Sequence, residues 1–386
     1  MAVTIKPINT SKKDLKRFIL FNYRLYRHNK YAVPEMYDDL MSVFMPSRNA
    51  AYEFCDAQFF LAYRGCRVVG RVAAIINRRA NATWGKQTVR FGWIDFIDDE
   101  EVSQALIDAV VEWGRQRGMT EIEGPLGFTD FDREGMLIEG FDQLGTMAAH
   151  YNYAYYPRHM ERMGFQKGAD WVEFKIFPPK EVPEKFQRIC DLVRNRYHLR
   201  VAKYTSRKAL REERGKEIFD VINDAYAPLY GYSRLSERQV DQYIKAYLGL
   251  VDLRLIPMAF DEQGRLVGVA IMMPSLSRAL RRGRGARRFW GYLPLAWTLF
   301  VRRPKNTDLL LVAVRPEYQG KGVNALLIAD LIPTYARLGY RFAESNPELE
   351  SNAKVQSQWD YFEHVNHKRR RCWVKTIDDT PSMGNG

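Results

Sequence analysis

At 386 residues the chain exceeds one ordinary domain, and two domains is the starting expectation. A hydrophobic share of 46% with 13% aromatic residues excludes a disordered or fibrous chain. A formal charge of +13 points to an anionic partner, and the absence of a helix-turn-helix, zinc-finger or RNP signature argues against nucleic acid.

In chain order, Ser11-Lys-Lys-Asp14 reads as a capping box ahead of Leu15, Phe18, Ile19 and Leu25, so a first helix starts there. Residues 30–58 read as irregular, punctuated by Pro34 and Pro46. Phe59–Tyr63 and Arg67–Ile75 around Gly65 read as a β-hairpin. A strand over 89–96, a helix over 100–117 and a short strand over 121–123 follow. Then come a glycine-rich insertion over 126–150, a helix over 155–163 and a strand over 171–176. Pro178-Pro-Lys-Glu-Val-Pro183 reads as a semi-rigid linker.

The second half repeats the first. Helices are expected from Glu184, over 218–226 and over 236–248, the last with Val240, Tyr243, Ile244, Tyr247 and Leu248 on one face. A hairpin (256–260, 265–272), a strand (309–314), a helix (323–338), a strand (341–345), a helix (354–363) and a strand (369–375) complete it. Arg67-Val-Val-Gly70 aligns with Arg265-Leu-Val-Gly268, and Gly118 with Gly339. The wider spacing of the second pair places an extra segment, 278–303, between the second hairpin and strand 309–314.

Leu309–Val314 is an unbroken apolar run that Arg315-Pro316 stops, because proline donates no ladder hydrogen bond. Gly320 and Gly322 follow, and then a helix-period pattern. Strand, glycine turn and helix start together make a nest of free N–H groups for an anion, and Lys321 adds a full charge. The spacing is neither that of a P-loop nor that of the dinucleotide fingerprint. Val314-x-Pro316-x-x-Gln319-x-x-Gly322-x-Asn324 instead resembles the pyrophosphate loop of the GNAT acyltransferases, with Asn324 where that motif has Gly or Ala. At the matching place the first half reads Asp98-Asp99-Glu100-Glu101, four acids that repel a pyrophosphate, so only the second half is expected to hold a cofactor. The first half then either walls the acceptor site or serves as scaffold.

The resemblance implies an α/β (α+β) fold of tandem GNAT domains, each a mixed, mostly antiparallel sheet flanked by helices. A degenerate domain would span 1–178 and a working one 179–386. It further implies that acyl-CoA or acetyl-CoA is bound by Val312, Val314, Gln319, Gly320, Lys321, Gly322, Val323, Asn324 and Asn352, with a backbone N–H near Val314 polarising the thioester carbonyl. Catalytic candidates are Glu344 and Glu350, for the proton of an ammonium acceptor, and Tyr361. Their plainer readings are a solvated strand end, helix-start charge and a core residue. Trp359 stands where such enzymes often carry a tyrosine acid, and tryptophan does not donate such a proton usefully.

Segment 278–303 sets Arg278, Arg281, Arg282, Arg284, Arg287 and Arg288 before Phe289–Val301, with Arg302-Arg303 after it. The apolar stretch is too short to span a bilayer and suits a membrane surface or a lid. Phe60-Leu-Ala-Tyr63, Val69–Ile75, Glu123-Gly-Pro125, Glu139-Gly-Phe141, Tyr151–Pro157, Tyr292-Leu-Pro294, Val314–Gln319 and Glu344–Asn352 together resemble a family of double-GNAT bacterial proteins that includes the bacterial ceramide synthases. That resemblance implies transfer of an acyl group from acyl-CoA to an amine, with a long-chain (sphingoid-type) lipid amine preferred. The protein is expected to be cytoplasmic, with peripheral contact to the inner membrane through 278–303. Competing readings are acetylation of a small or peptidic amine, and an acyl-CoA sensor without catalysis. Cys55, Cys66, Cys190 and Cys372 lie at no metal spacing, so no metal is expected. Met1–Lys6 does not open a signal-peptide core.

Overall fold

A computed structural model describes residues 1–247 and 251–377; Leu248, expected on a helix face, lies outside them. The first half contains β1 (Val3–Ile8), α1 (Lys12–Leu25), α2 (Tyr37–Phe44), β2 (Cys55–Arg64), β3 (Arg67–Asn77), α3 (Arg78–Trp84), β4 (Thr88–Phe96), α4 (Glu100–Arg115), β5 (Glu121–Gly124), β6 (Met136–Glu139), α5 (Tyr155–Arg162) and β7 (Gln166–Phe177). The second half opens with α6 (Glu184–Tyr197), β8 (Arg200–Ala202), α7 (Arg207–Ala209), α8 (Gly215–Tyr226), α9 (Glu237–Tyr247), β9 (Met258–Phe260) and β10 (Leu266–Pro274). It continues with α10 (Ser277–Gly283), α11 (Leu293–Ala296), β11 (Asn306–Val314), α12 (Val323–Leu338), β12 (Phe342–Ser345), β13 (Glu348–Leu349), α13 (Ala353–Gln356) and β14 (Glu363–Thr376).

All fourteen strands of the described residues join one mixed sheet in the order β1-β2-β3-β4-β5-β14-β7-β12-β11-β10-β9-β8, with β6 on β14 and β13 on β7. The pairs β4–β5 and β11–β12 are parallel. The last strand of each half sits beside a strand of the other half: β14 pairs β5, and β7 pairs β12. The two also pair with each other down the middle of the sheet.

Each half packs helices on both faces of its strands. In the first half, Leu15, Phe18 and Phe44 of α1 and α2 meet Phe59 and Leu61 of β2. Val102, Leu106 and Val110 of α4 take the opposite face, against Phe60 and Ala62. In the second half, α6 and α12 cover one face through Phe186, Val193, Leu326 and Leu327. Helices α8 and α9 cover the other through Ile218, Ile222, Val240 and Ile244.

Several local expectations change: β7 begins at Gln166 rather than 171, and the 126–150 insertion contains β6. Residues 30–58 contain α2, whose Leu40, Met41 and Phe44 face the core. The helix expected over 354–363 is α13 followed by a 3-10 turn over Ser357–Tyr361. Strand β14 begins at Glu363 rather than at 369 because the polar run before Cys372 is paired with β7, and its Lys368 and Arg370 are buried as ion pairs.

Candidate active site

Strands β11 and β12 run side by side only from Asn306/Phe342 to Leu309/Ser345. Asn346 then turns the chain away, anchored by its side-chain amide on the Leu310 carbonyl at 2.7 Å. The rest of β11 keeps β10 on one side and lacks a strand on the other. Ala313 pairs with Val269, and the Arg315 N–H donates to the Val267 carbonyl, so alternate residues Val312 and Val314 present their backbone to the open edge. Their carbonyls accept from the Tyr226 hydroxyl at 3.5 Å and the Gln319 amide at 3.0 Å. Their N–H groups face the gap, where donors are needed for a thioester carbonyl.

The turn after β11 is held by Arg315, which donates to the Leu266 carbonyl and pairs with Asp224 at 2.9 Å. Gly320 and Gly322 adopt φ of 73° and 80°. A Cβ on Gly322 would lie 2.6 Å from a methyl of Val193 in α6. The N–H groups of Gly320, Gly322, Val323 and Asn324 donate to no carbonyl among the turn and cap bonds of the described residues. They open the N-terminus of α12, and Lys321 Nζ stands 5.1 and 5.3 Å from the Tyr197 and Tyr318 ring centres. A nest of free amides with one cation beside it fits a pyrophosphate. In the first half the equivalent helix start is closed: Asp99 caps α4, Arg64 bridges Asp99 and Glu101, and Glu101 accepts the Val3 N–H.

Two cavities meet at the gap. One of about 40 Å³, wholly apolar, lies on the α12 face beside Met272, Ile328, Leu331 and Phe362. The other, about 430 Å³, lies on the opposite face. Leu309, Val312 and Trp359 line both. Both halves build the larger cavity: Phe219, Ile222 and Tyr226 from α8 face Met36, Leu40, Trp93 and Phe131. Asp130, Asp132 and Glu134 close its floor, where burial pushes Asp132 up to about 7 and raises the other two.

The structure separates the acidic candidates. Glu344 is buried in β12 and paired with Lys368 at 3.1 Å, in a network with Glu173 and Arg370. Burial works against the Glu173 charge, yet Arg370 and Lys368 hold it at about 2. Beside Glu344, Asp308 is fully buried without a hydrogen bond of ordinary geometry; burial and the Glu344 charge push it up to about 7. Glu350 points outward, where Lys167 and Arg369 hold its carboxyl below the usual range. Tyr361 is 46% exposed, with its ring 5.3 Å from that of Phe186. Neither Glu350 nor Tyr361 lines the cavities, whereas Asn352 lines the larger one.

The carboxylate that does face the gap is Glu348, which sequence reasoning passed over. Both its oxygens accept from Trp359 Nε1, at 3.1 and 3.2 Å, and burial pushes its pKa to about 7. A carboxylate near neutrality is half ionised at working pH and can take a proton from an ammonium. Tyr226 was missed as well. Burial, then the Glu348 charge, raise its phenol well above the usual tyrosine range, so it stays a neutral hydroxyl. Glu348 lies within the same acidic segment as Glu344 and Glu350, so its signal was present but undistinguished. Tyr226 carries none.

No family model matches the chain. Bacterial ceramide synthase of Caulobacter vibrioides (strain NA1000 / CB15N) is 24% identical over 380 residues, covering 97% of this chain and 98% of that one. Protein YghO of Escherichia coli (strain K12) is 26% identical over 377 residues, covering 95% and 94%. Among solved structures, a tandem GNAT protein from the clavulanic acid biosynthesis pathway superposes with a TM-score of 0.57 at 11% identity, over 98% of this chain and 100% of that one. A GCN5-related N-acetyltransferase from Sphaerobacter thermophilus gives 0.52 at 12% identity, over 97% and 96%. The chain thus carries the tandem GNAT fold and is similar along nearly its whole length to a bacterial ceramide synthase.

Proposed function

We propose that the protein is an acyl-CoA-dependent N-acyltransferase whose acceptor is a long-chain lipid amine. The thioester would lie along the open edge of β11, its pyrophosphate in the Gly320–Asn324 nest and its carbonyl toward the Val312 and Val314 N–H groups. The amine approaches from the opposite cavity. Its nitrogen attacks the thioester carbon, the C–N bond forms and the C–S bond breaks. Glu348 takes the ammonium proton before attack and later releases it to water. The nitrogen sheds a second proton as the amide forms, and Tyr226 passes that one to the leaving thiolate, so each turnover of an ammonium acceptor releases one proton. Residues 1–178 act as the cofactor-free domain that walls the acceptor, and 179–386 as the domain that binds the thioester.

The observation that carries this reading is the meeting of an apolar donor-side pocket and a roomier acceptor cavity at one gap, with Glu348 facing it. The likeness to a protein named ceramide synthase favours a lipid acceptor. So does the 278–303 segment. No described helix is long and apolar enough to cross a membrane. Yet Phe289, Trp290, Trp297 and Phe300 are 77%, 70%, 57% and 80% exposed, far beyond what a lid packed on a core would leave open. We read them as a peripheral contact with the cytoplasmic membrane face.

The test is turnover of long-chain amines in detergent beside short soluble amines, with acetyl-CoA and long-chain acyl-CoA. The expected result is a kcat/KM at least about tenfold higher for the long-chain amine, since each buried CH₂ contributes about 0.8 kcal/mol. Brisk acetylation of a soluble amine with no gain from chain length would move the assignment to a small-amine acetyltransferase.

A further inference from the structure

Segment 278–303 is docked on the first half rather than hanging free. The Gly285 carbonyl accepts the Tyr37 N–H at 2.8 Å, and the Tyr292 hydroxyl donates to Asp38. A Cβ on Gly285, whose φ is +67°, would lie 2.2 Å from the Glu35 carbonyl, so this close approach depends on glycine.

Docking encloses a groove of about 1190 Å³. One wall is the end of α1 and the turn after it, carrying Arg24, Arg27 and Lys30; the other carries the six arginines between 278 and 288. None of these side chains forms an ion pair or hydrogen bond with a described residue. The one acid in the lining, Glu35, is already engaged by Arg133 at 3.5 Å. Two facing rows of unpaired cations repel each other, and the docking contacts hold them together against that repulsion. Such a site is completed by an anion, and arginine forks match phosphate oxygens. Two further features identify its source. Trp290 lines the groove and belongs to the exposed aromatic tip, so the groove opens beside apolar surface. Glu35 and Arg133 line both the groove and the acceptor cavity, so the two spaces share a wall.

We propose that this groove binds the phosphate headgroup of an anionic membrane phospholipid, and thereby seats the protein with its acceptor cavity opening toward the bilayer. This rests on reading the acceptor as a membrane lipid. A loosely basic surface used by the 278–303 segment alone would not need the first-half wall; the groove does.

The full chain is compared with three variants: Arg27→Gln/Lys30→Gln on the first-half wall, Arg282→Gln/Arg287→Gln on the facing wall, and Trp297→Ala/Phe300→Ala at the tip. Binding is measured to vesicles of phosphatidylcholine alone and with phosphatidylglycerol, at low salt. Either wall variant is expected to lower binding to phosphatidylglycerol vesicles by roughly twentyfold or more, with coenzyme A affinity unchanged. The tip variant is expected to weaken binding to both vesicle types. Soluble short-chain phosphatidylglycerol should displace the vesicles better than inorganic phosphate or a single-stranded oligonucleotide at equal concentration. Wild-type binding by Arg27→Gln/Lys30→Gln, or equal displacement by inorganic phosphate or the oligonucleotide, overturns the proposal. Amine turnover in detergent is read separately. Wall-dependent phospholipid binding with no long-chain preference would retire the lipid acceptor and leave the headgroup site standing.

Discussion

Glu348 and Glu350 are two residues apart and have opposite electrostatics. Glu348 turns into the cavity, loses water and is held by one indole; Glu350 turns out and is neutralised by Lys167 and Arg369. On a single sequence the acids at 344, 348 and 350 read alike, because what separates them is a tryptophan eleven residues beyond Glu348 and a strand from the other half. Replacing Glu348 by Gln should lower kcat by about 10²–10⁴ with coenzyme A affinity unchanged, whereas Glu350→Gln should leave kcat within about twofold. Glu348 is protonated below about 7, so kcat/KM should fall as pH drops through that value, and Glu348→Gln should erase that limb. An acid limb that persists in the variant would assign the proton to another group. Asp308 gives a stability test. Its folded-state pKa is raised from 3.8 to about 7, so the folded protein favours the neutral form and ionisation opposes folding as pH climbs between those values. Asp308→Asn should therefore melt higher than the parent at pH 8, with a smaller gap at pH 5. A gap that shrinks with rising pH would contradict this account.

At the scale of elements, the strand, glycine turn and helix from Leu309 to Leu338 were legible because every determinant is local: an apolar run, a proline stop, two glycines and a helical period. The gap beside β11 is not local. It depends on Asn346 leaving the sheet, and asparagine before proline is an ordinary turn signal. Helix α13 and strand β14 were misjudged for a related reason. Lys368 and Arg370 look solvent-facing until Glu173 and Glu344 of other strands are brought to them. The loop itself yields a graded prediction. Gly322→Val combines a left-handed φ with a collision on Val193, whereas Gly320→Ala at φ 73° meets nothing within 4 Å. Calorimetry should show coenzyme A affinity falling by about tenfold or more in the first and by less in the second. Equal losses would mean that backbone conformation alone, and not the seat on α6, shapes the nest.

At the scale of the whole molecule, the internal repeat told what each half contains but not which strands become neighbours. Strands β7 and β14 each close their own half of the repeat, and only long-range pairing assigns β7 to β12 and β14 to β5. Residues 1–177 alone would keep β4 on β5 but leave its other edge, and that of β7, without β14, so that fragment should be unfolded by circular dichroism or self-associate through the open edge. Co-expression with 178–386 should restore a folded complex. A monomeric, cooperatively melting 1–177 fragment would show that the exchange is dispensable.

The exchanged strands also govern how the protein is made. A ribosome delivers the chain from its N-terminal side, and the edge of β5 at 121–124 awaits a partner that lies at 363–376. Until that segment emerges the first half exposes an unpaired edge, the condition under which nascent chains recruit chaperones or misassociate. A premature stop or frameshift ahead of residue 363 would accordingly injure the first half as much as the second, and a cell would inherit no half-useful product from an interrupted message.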